Sequence, residues 1–216
     1  MLLAAGRGER LRPLTDACPK PLLPVGGKPL IHWHLERLAH AGFARVVVNT
    51  SWLAERIAAE LGDGSRFGLA VELSHEGPVA LEAGGGIRHA LERLDDPFLV
   101  VNSDVWCDAD LAALGVDGAD LAHLVLVDNP PHHPQGDFGL ADGRVRDGGD
   151  PRLTFAGIGV YRHALFAVRA PGRFPLAPLL RTAIAADAVS GQHHAGRWLD
   201  VGTAERLAAL ERELAP

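Results

Sequence analysis

The sequence predicts an α/β fold, a three-layer sandwich built on a mostly parallel, mixed sheet. Short apolar segments alternate with helical ones, which is the pattern of strand–helix–strand units. One segment, Phe98-Leu99-Val100-Val101, is apolar at every position, as expected of a strand covered on both faces. With 216 residues, 47% of them apolar, the chain suits one domain spanning 1–216 with a full core.

The elements follow in order. Leu2–Ala5 is the first strand, and the apolar run already includes Met1. The strand is therefore short, or the start lies a few residues upstream. Pro29 opens a helix to about Ala41, stopped by Gly42. Arg45–Asn49 is a strand centred on three valines, and Ser51 caps a helix from Trp52 to about Leu61. Ala70–His75 is a strand. Gly84–Leu94 starts with three glycines and becomes helical, and Pro97–Asn102 is the buried strand. A short helix at Asp108–Leu114 precedes a strand at Leu121–Asp128. The segment 129–150 is rich in Pro, Gly, His and Asp and reads as a hairpin-like insertion over the site. Thr154–Tyr161 returns to the sheet. A helix near 176–186, a strand ending at Trp198-Leu199-Asp200 and a final helix from about Thr203 complete the chain.

The first strand runs into Gly6-Arg7-Gly8-Glu9-Arg10, and Pro19-Lys20-Pro21-Leu22 follows ten residues past Arg10. Glycines at a strand end let a phosphate approach bare backbone N–H groups. Residues 1–28 carry five basic side chains against two acidic ones, in a chain of net charge −6. A basic, glycine-rich hook on an acidic protein suits a small polyphosphate and argues against a nucleic-acid surface. No Gly-Lys-Ser/Thr follows, so this is not a Walker loop. Arg10 or Leu11 stands where the dinucleotide fingerprint needs a third glycine, which disfavours an NAD(P)-dependent oxidoreductase.

Asp104 lies just past the buried strand, at the carboxyl end where ligands bind in such sheets. A carboxylate there suits Mg²⁺; it equally suits a helix cap. Asp200, in Trp198-Leu199-Asp200-Val201-Gly202-Thr203, offers the same two readings. Glu82, ahead of Gly84-Gly85-Gly86, can accept the imino N–H of uracil or of guanine, with the glycines as a flat platform for the base. Cys18 and Cys107 read as free thiols of a reducing compartment. His132-His133 and His193-His194 read as solvated loop histidines rather than a zinc site, and the four tryptophans as core or crevice-wall residues.

The loop, Lys20, Asp104 and Asp200 together resemble the signature of the sugar-phosphate nucleotidylyltransferases. Gly62-Asp63-Gly64-Ser65-Arg66-Phe67-Gly68, His123–Pro130 and Gly136-Asp137-Phe138 further resemble the short bacterial N-acetylmuramate 1-phosphate uridylyltransferases of peptidoglycan recycling. That group usually carries Gly where Ser103 stands and Thr where Ala83 stands. The resemblance implies a Rossmann-like single domain that binds UTP and a sugar 1-phosphate with Mg²⁺ on Asp104 and Asp200. It implies Arg10, Lys20, Asp104 and Asp200 as catalytic residues. It implies Ala5, Gly6, Arg7, Gly8, Lys20, Glu82 and Gly84 as the nucleotide site, and Asn102 and Asp137 as contacts to the sugar phosphate, with Asp137 accepting from an N-acetyl N–H. A cytoplasmic monomer with no nucleic-acid or membrane partner is expected. The other readings are a mannose or glucose 1-phosphate nucleotidylyltransferase using another NTP, and a non-catalytic regulatory homologue that binds nucleotide-sugars.

Overall fold

The computed structural model describes residues 1–214. Nine strands form one sheet in the order Ala70–His75, Arg45–Thr50, Leu2–Leu3, Phe98–Asn102, Arg152–Tyr161, Ala122–Val127, Val189–His193, Arg144–Arg146, Phe138–Ala141. The first four run parallel, as the alternation of strands and helices requires. Arg152–Tyr161 is antiparallel to both of its long neighbours and makes the sheet mixed. Nothing in the alternation marks that reversal, because a strand's own sequence does not record its direction.

The buried strand shows why a continuous apolar run was needed. Phe98 and Val100 pack into the core on one face, Leu99 and Val101 into the core on the other. Val47 against Val46 and Val48, and Leu124 and Leu126 against Val125 and Val127, divide in the same way. Side chains alternate across a strand, so a sheet between two helical layers needs apolar residues at both parities. Helix Leu30–His40 buries Ile31, Leu35 and Leu38 on one face of the sheet. Helices Glu82–Ala90, His163–Ala167 and Ala177–Ala185 cover the other.

Several boundaries differ from the sequence reading. The helix expected from Pro29 runs Leu30–His40, and Gly42 just beyond it adopts φ +88°. Ser51 caps nothing: its hydroxyl donates to the Gly77 carbonyl at 2.8 Å, and the helix begins only at Ala54. The expected helix at 108–114 is one 3₁₀ turn, Leu111–Ala113, capped by Asp110. The insertion at 129–150 does contain a hairpin, Phe138–Ala141 with Arg144–Arg146, but it joins the end of the main sheet. Val105–Cys107 pairs antiparallel with Trp198–Asp200, so the two acid-bearing segments form one ribbon. The last helix, Ala204–Leu214, docks Leu210 against Val25, Leu30 and Val201.

Phe166 tests the packing account. It is fully buried, with its ring 5.9 Å from those of Phe98 and Tyr161. Phe166→Ala is expected to lower the unfolding free energy by about 3–5 kcal/mol in urea titration. A loss below about 1 kcal/mol contradicts that role.

Candidate active site

The first strand ends at Leu3, and the chain beyond it must satisfy its backbone without a strand partner. The Ala4 N–H donates to Asn49 Oδ1 at 2.6 Å, and the Leu3 carbonyl accepts from both Ser103 N–H and Ser103 Oγ. Asn49 Nδ2 donates to Glu76 Oε1 at 2.6 Å, and Glu76 Oε2 accepts from the Leu81 N–H at 2.6 Å. This relay joins the carboxyl ends of three neighbouring strands to the loop ahead of Glu82–Ala90. Asn49 and Glu76 were missed in the sequence, although they follow the rule that singled out Asp104. Both are polar side chains at or just past a parallel strand's carboxyl end.

The phosphate-loop candidate folds back on itself. Gly8 is left-handed, φ +68°, and a Cβ there would lie 3.0 Å from Thr15 and 3.2 Å from Lys20. The Thr15 hydroxyl donates to the Gly8 carbonyl at 2.9 Å. Lys20 is buried, and its Nζ donates to Asp104 Oδ2 at 2.6 Å. Gly6, Gly8, Arg10, Lys20 and Asp104 line one groove of about 300 Å³. Ala5, Gly6, Lys20, Glu82, Asn102 and Asp104 line an adjoining cavity of about 220 Å³ that also takes in Asn49 and Glu76. Asn102 packs on Gly157, where the long strand bulges at φ +74°.

Asp200 faces a third cavity, about 670 Å³, which shares Arg10 with the groove. Asp200 Oδ1 accepts from Arg206 Nη1 at 2.9 Å and lies 3.1 Å from His132 Nε2. Asp104 and Asp200 are thus linked through the ribbon, where Val201 N–H donates to the Asp104 carbonyl at 2.7 Å. They face the Lys20 side and the Arg206 side of Arg10 respectively. Each carboxylate is partly exposed and paired with a basic side chain, Asp104 with Lys20 and Asp200 with Arg206, and each offers the hard oxygen donors that suit a divalent cation.

Three residues leave the predicted site. Arg7 stacks over Trp52 at 3.7 Å and donates to the Thr15 carbonyl and to Asp16, so its contacts tie the loop to its own return. Gly84 lines neither cavity: a Cβ on it would lie 2.6 Å from the Phe174 ring. The glycine run is a packing device, since Gly85 and Gly86 sit equally close to the Gly172 carbonyl and to Glu76. Asp137 is committed to the hairpin. One oxygen lies 3.1 Å from His133 Nε2, and the other accepts from the Phe155 N–H at 2.8 Å. It lines none of the three cavities. Glu82 does reach the cavity, at φ +63°, and pairs with Arg173 at 3.0 Å. A left-handed non-glycine residue at a cavity wall is a strained feature of the kind found at ligand sites.

His34 lies beneath this region on helix Leu30–His40. Burial pushes its pKa down to about 4, reinforced by Arg37 and opposed by Asp104 and the backbone of Ser103 and Val105. Its Nε2 has no hydrogen-bond partner.

A model of the nucleotidyl transferase family matches residues 1–150. The chain belongs to this family. It is 52% identical to the N-acetylmuramate alpha-1-phosphate uridylyltransferase of Neisseria meningitidis, over 96% of this chain and 94% of the relative. It is 37% identical to the protein of the same name from Caulobacter vibrioides, over 100% and 96%. The solved structure of HddC from Yersinia pseudotuberculosis superposes with a TM-score of 0.78 at 21% identity, covering 98% of this chain and 97% of that one. A Bacillus anthracis crystal structure reaches 0.83 at 17% identity, over 99% and 93%. These two share the fold. No helix of this nucleotidyltransferase, among the described residues, is long and apolar enough to cross a membrane.

Two outcomes test the site's construction. Gly85→Ala places a Cβ 2.2 Å from the Gly172 carbonyl, so it is expected to cost about 1–3 kcal/mol of stability by urea titration; an unchanged midpoint contradicts close packing there. The His34 pKa is depressed in the folded state, so the unfolded chain binds more protons between pH 6.5 and about 4. Stability is expected to fall as pH drops through that window. His34→Leu is expected to flatten the fall, and an identical profile would remove His34 as its source.

Proposed function

We propose that this nucleotidyltransferase moves a uridylyl group from UTP to N-acetylmuramate α-1-phosphate, giving UDP-N-acetylmuramate and pyrophosphate. The observation that carries the reading is the Lys20–Asp104 pair set against the Gly6–Gly8 loop, in a chain 52% identical to a uridylyltransferase of that name over nearly its whole length. The product belongs to cell-wall recycling, and the UTP pool places the enzyme in the cytoplasm. In this reading it works as a monomer.

The attacking anomeric phosphate is already ionised, so no general base is needed. Catalysis is positioning and charge neutralisation. The Gly6 and Gly8 amides bind the β- and γ-phosphates. Arg10, which has no ion-pair partner among the described residues, stabilises charge leaving with pyrophosphate. Lys20 exchanges Asp104 for the α-phosphate and the attacking phosphate. The nucleoside occupies the cavity between Ala5 and Glu82, and Asn102 borders the sugar phosphate. Asp104 and Asp200 would hold Mg²⁺, which when bound neutralises phosphate oxygens. Attack in line leaves no covalent intermediate.

Pyrophosphate release with four NTPs against a panel of sugar 1-phosphates tests the reading. UTP with N-acetylmuramate 1-phosphate is expected to be preferred, and equal use of glucose or mannose 1-phosphate contradicts it. Lys20→Ala is expected to lower kcat about 10²–10³-fold, with a smaller effect on UTP binding by calorimetry. Unchanged turnover removes Lys20 from the mechanism. Asp104→Asn and Asp200→Asn are each expected to abolish metal-dependent turnover with the thermal transition retained. If only one does so, the other is structural.

A further inference from the structure

The cavity beside Asp200 has a charge pattern that transfer to a neutral sugar leaves unexplained. Arg206 comes from the last helix, and His132 from the loop ahead of the hairpin. Arg206 Nη1 donates to Asp200 Oδ1 and lies 2.5 Å from His132 Nε2. His132 Nε2 thus lies within hydrogen-bond distance of both Arg206 Nη1 and Asp200 Oδ1. Both interactions use Nη1. Arg206 Nε is buried without a partner. Nη2 lies over Gly202, where a Cβ would stand 2.1 Å from it. Of five N–H donors, those on Nε and Nη2 thus make no hydrogen bond to protein. Pro130 and Trp198 supply apolar wall.

Two guanidiniums, Arg10 and Arg206, meet this cavity, and Asp200 is its one carboxylate. Arg10 also lines the groove with Lys20 and Asp104, where the reacting phosphates belong. Arg206 does not line that groove. Nε is closed off from solvent, so a ligand in this cavity meets Arg206 through its terminal nitrogens. A carboxylate matches an arginine edge with two parallel N–H donors.

The geometry points to Arg206, supported by His132, as the subsite that binds a carboxylate carried on the acceptor sugar, apart from its 1-phosphate. Under the proposed function, on which this rests, that group is the lactyl carboxylate of N-acetylmuramate. The assignment replaces Asp137: the acceptor's acid is read by a cation, where the sequence had suggested its amide is read by an acid.

The test compares kcat/KM, with UTP saturating, for N-acetylmuramate 1-phosphate and for N-acetylglucosamine 1-phosphate, the same sugar without the lactyl group. Wild type, Arg206→Gln, Arg206→Lys and His132→Gln are measured, with thermal unfolding in parallel. Arg206→Gln is expected to lose about 10–100-fold on the acidic sugar, the range for a hydrogen bond to a charged group, and to change less than about threefold on the neutral one. Arg206→Lys recovers part of the loss. Equal losses on both sugars mean that Arg206 serves Asp200 or the shared phosphate, which overturns this inference and leaves uridylyl transfer standing. Should Arg206→Gln fail to fold, the ratio in Arg206→Lys and His132→Gln decides: a selective loss on the acidic sugar supports the subsite, and an unchanged ratio overturns it. Wild-type enzyme that does not prefer the acidic sugar overturns the proposed function and this inference with it.

Discussion

A lysine buried to 8% exposure and lying 2.6 Å from a carboxylate constrains everything around it, because removing the carboxylate leaves an uncompensated ammonium out of water. Lys20 comes from the return of the N-terminal loop, and Asp104 from the turn after the central buried strand. Their contact fixes the Gly-rich loop over the sheet's carboxyl edge. The left-handed Gly8 is packed on Lys20, so the loop's conformation depends on where that lysine points. Once a nucleotide enters, its phosphates can take over from Asp104 as partners for the ammonium. In the proposed reading the pair holds a place for anionic oxygen on one side and for a divalent cation on the other.

The relay from the Ala4 amide through Asn49 and Glu76 to the Leu81 amide gives the other wall its shape. It converts unpaired backbone groups at strand ends into hydrogen bonds that also set the loop before Glu82. The close packing of Gly84, Gly85 and Gly86 on neighbouring segments then anchors that loop from behind. A cavity built this way keeps its form without a ligand, which lowers the ordering cost of binding.

The layers of the fold were legible in the sequence because a doubly covered strand needs apolar residues at both parities, and 98–101 has them. The direction of Arg152–Tyr161 was not legible, since only tertiary pairing decides it. Lys20, Asp104 and Asp200 stood out by residue type at strand and loop ends. Arg7, Gly84 and Asp137 were named by the same reasoning, but each finds partners inside its own segment or in the packing behind it. Short polar side chains in turns bond local backbone as readily as ligands. Arg206 was invisible for the opposite reason. It sits on an ordinary amphipathic helix, and only the docking of that helix on Val25 and Val201 brings it to Asp200.

A crystal structure with a non-hydrolysable UTP analogue and Mg²⁺ tests the central claim most directly. The account predicts phosphates against the Gly6 and Gly8 amides, Lys20 Nζ moved from Asp104 to the α-phosphate, and the uridine between Ala5 and Glu82. Nucleotide bound elsewhere, or bound with the Lys20–Asp104 pair intact, would contradict it.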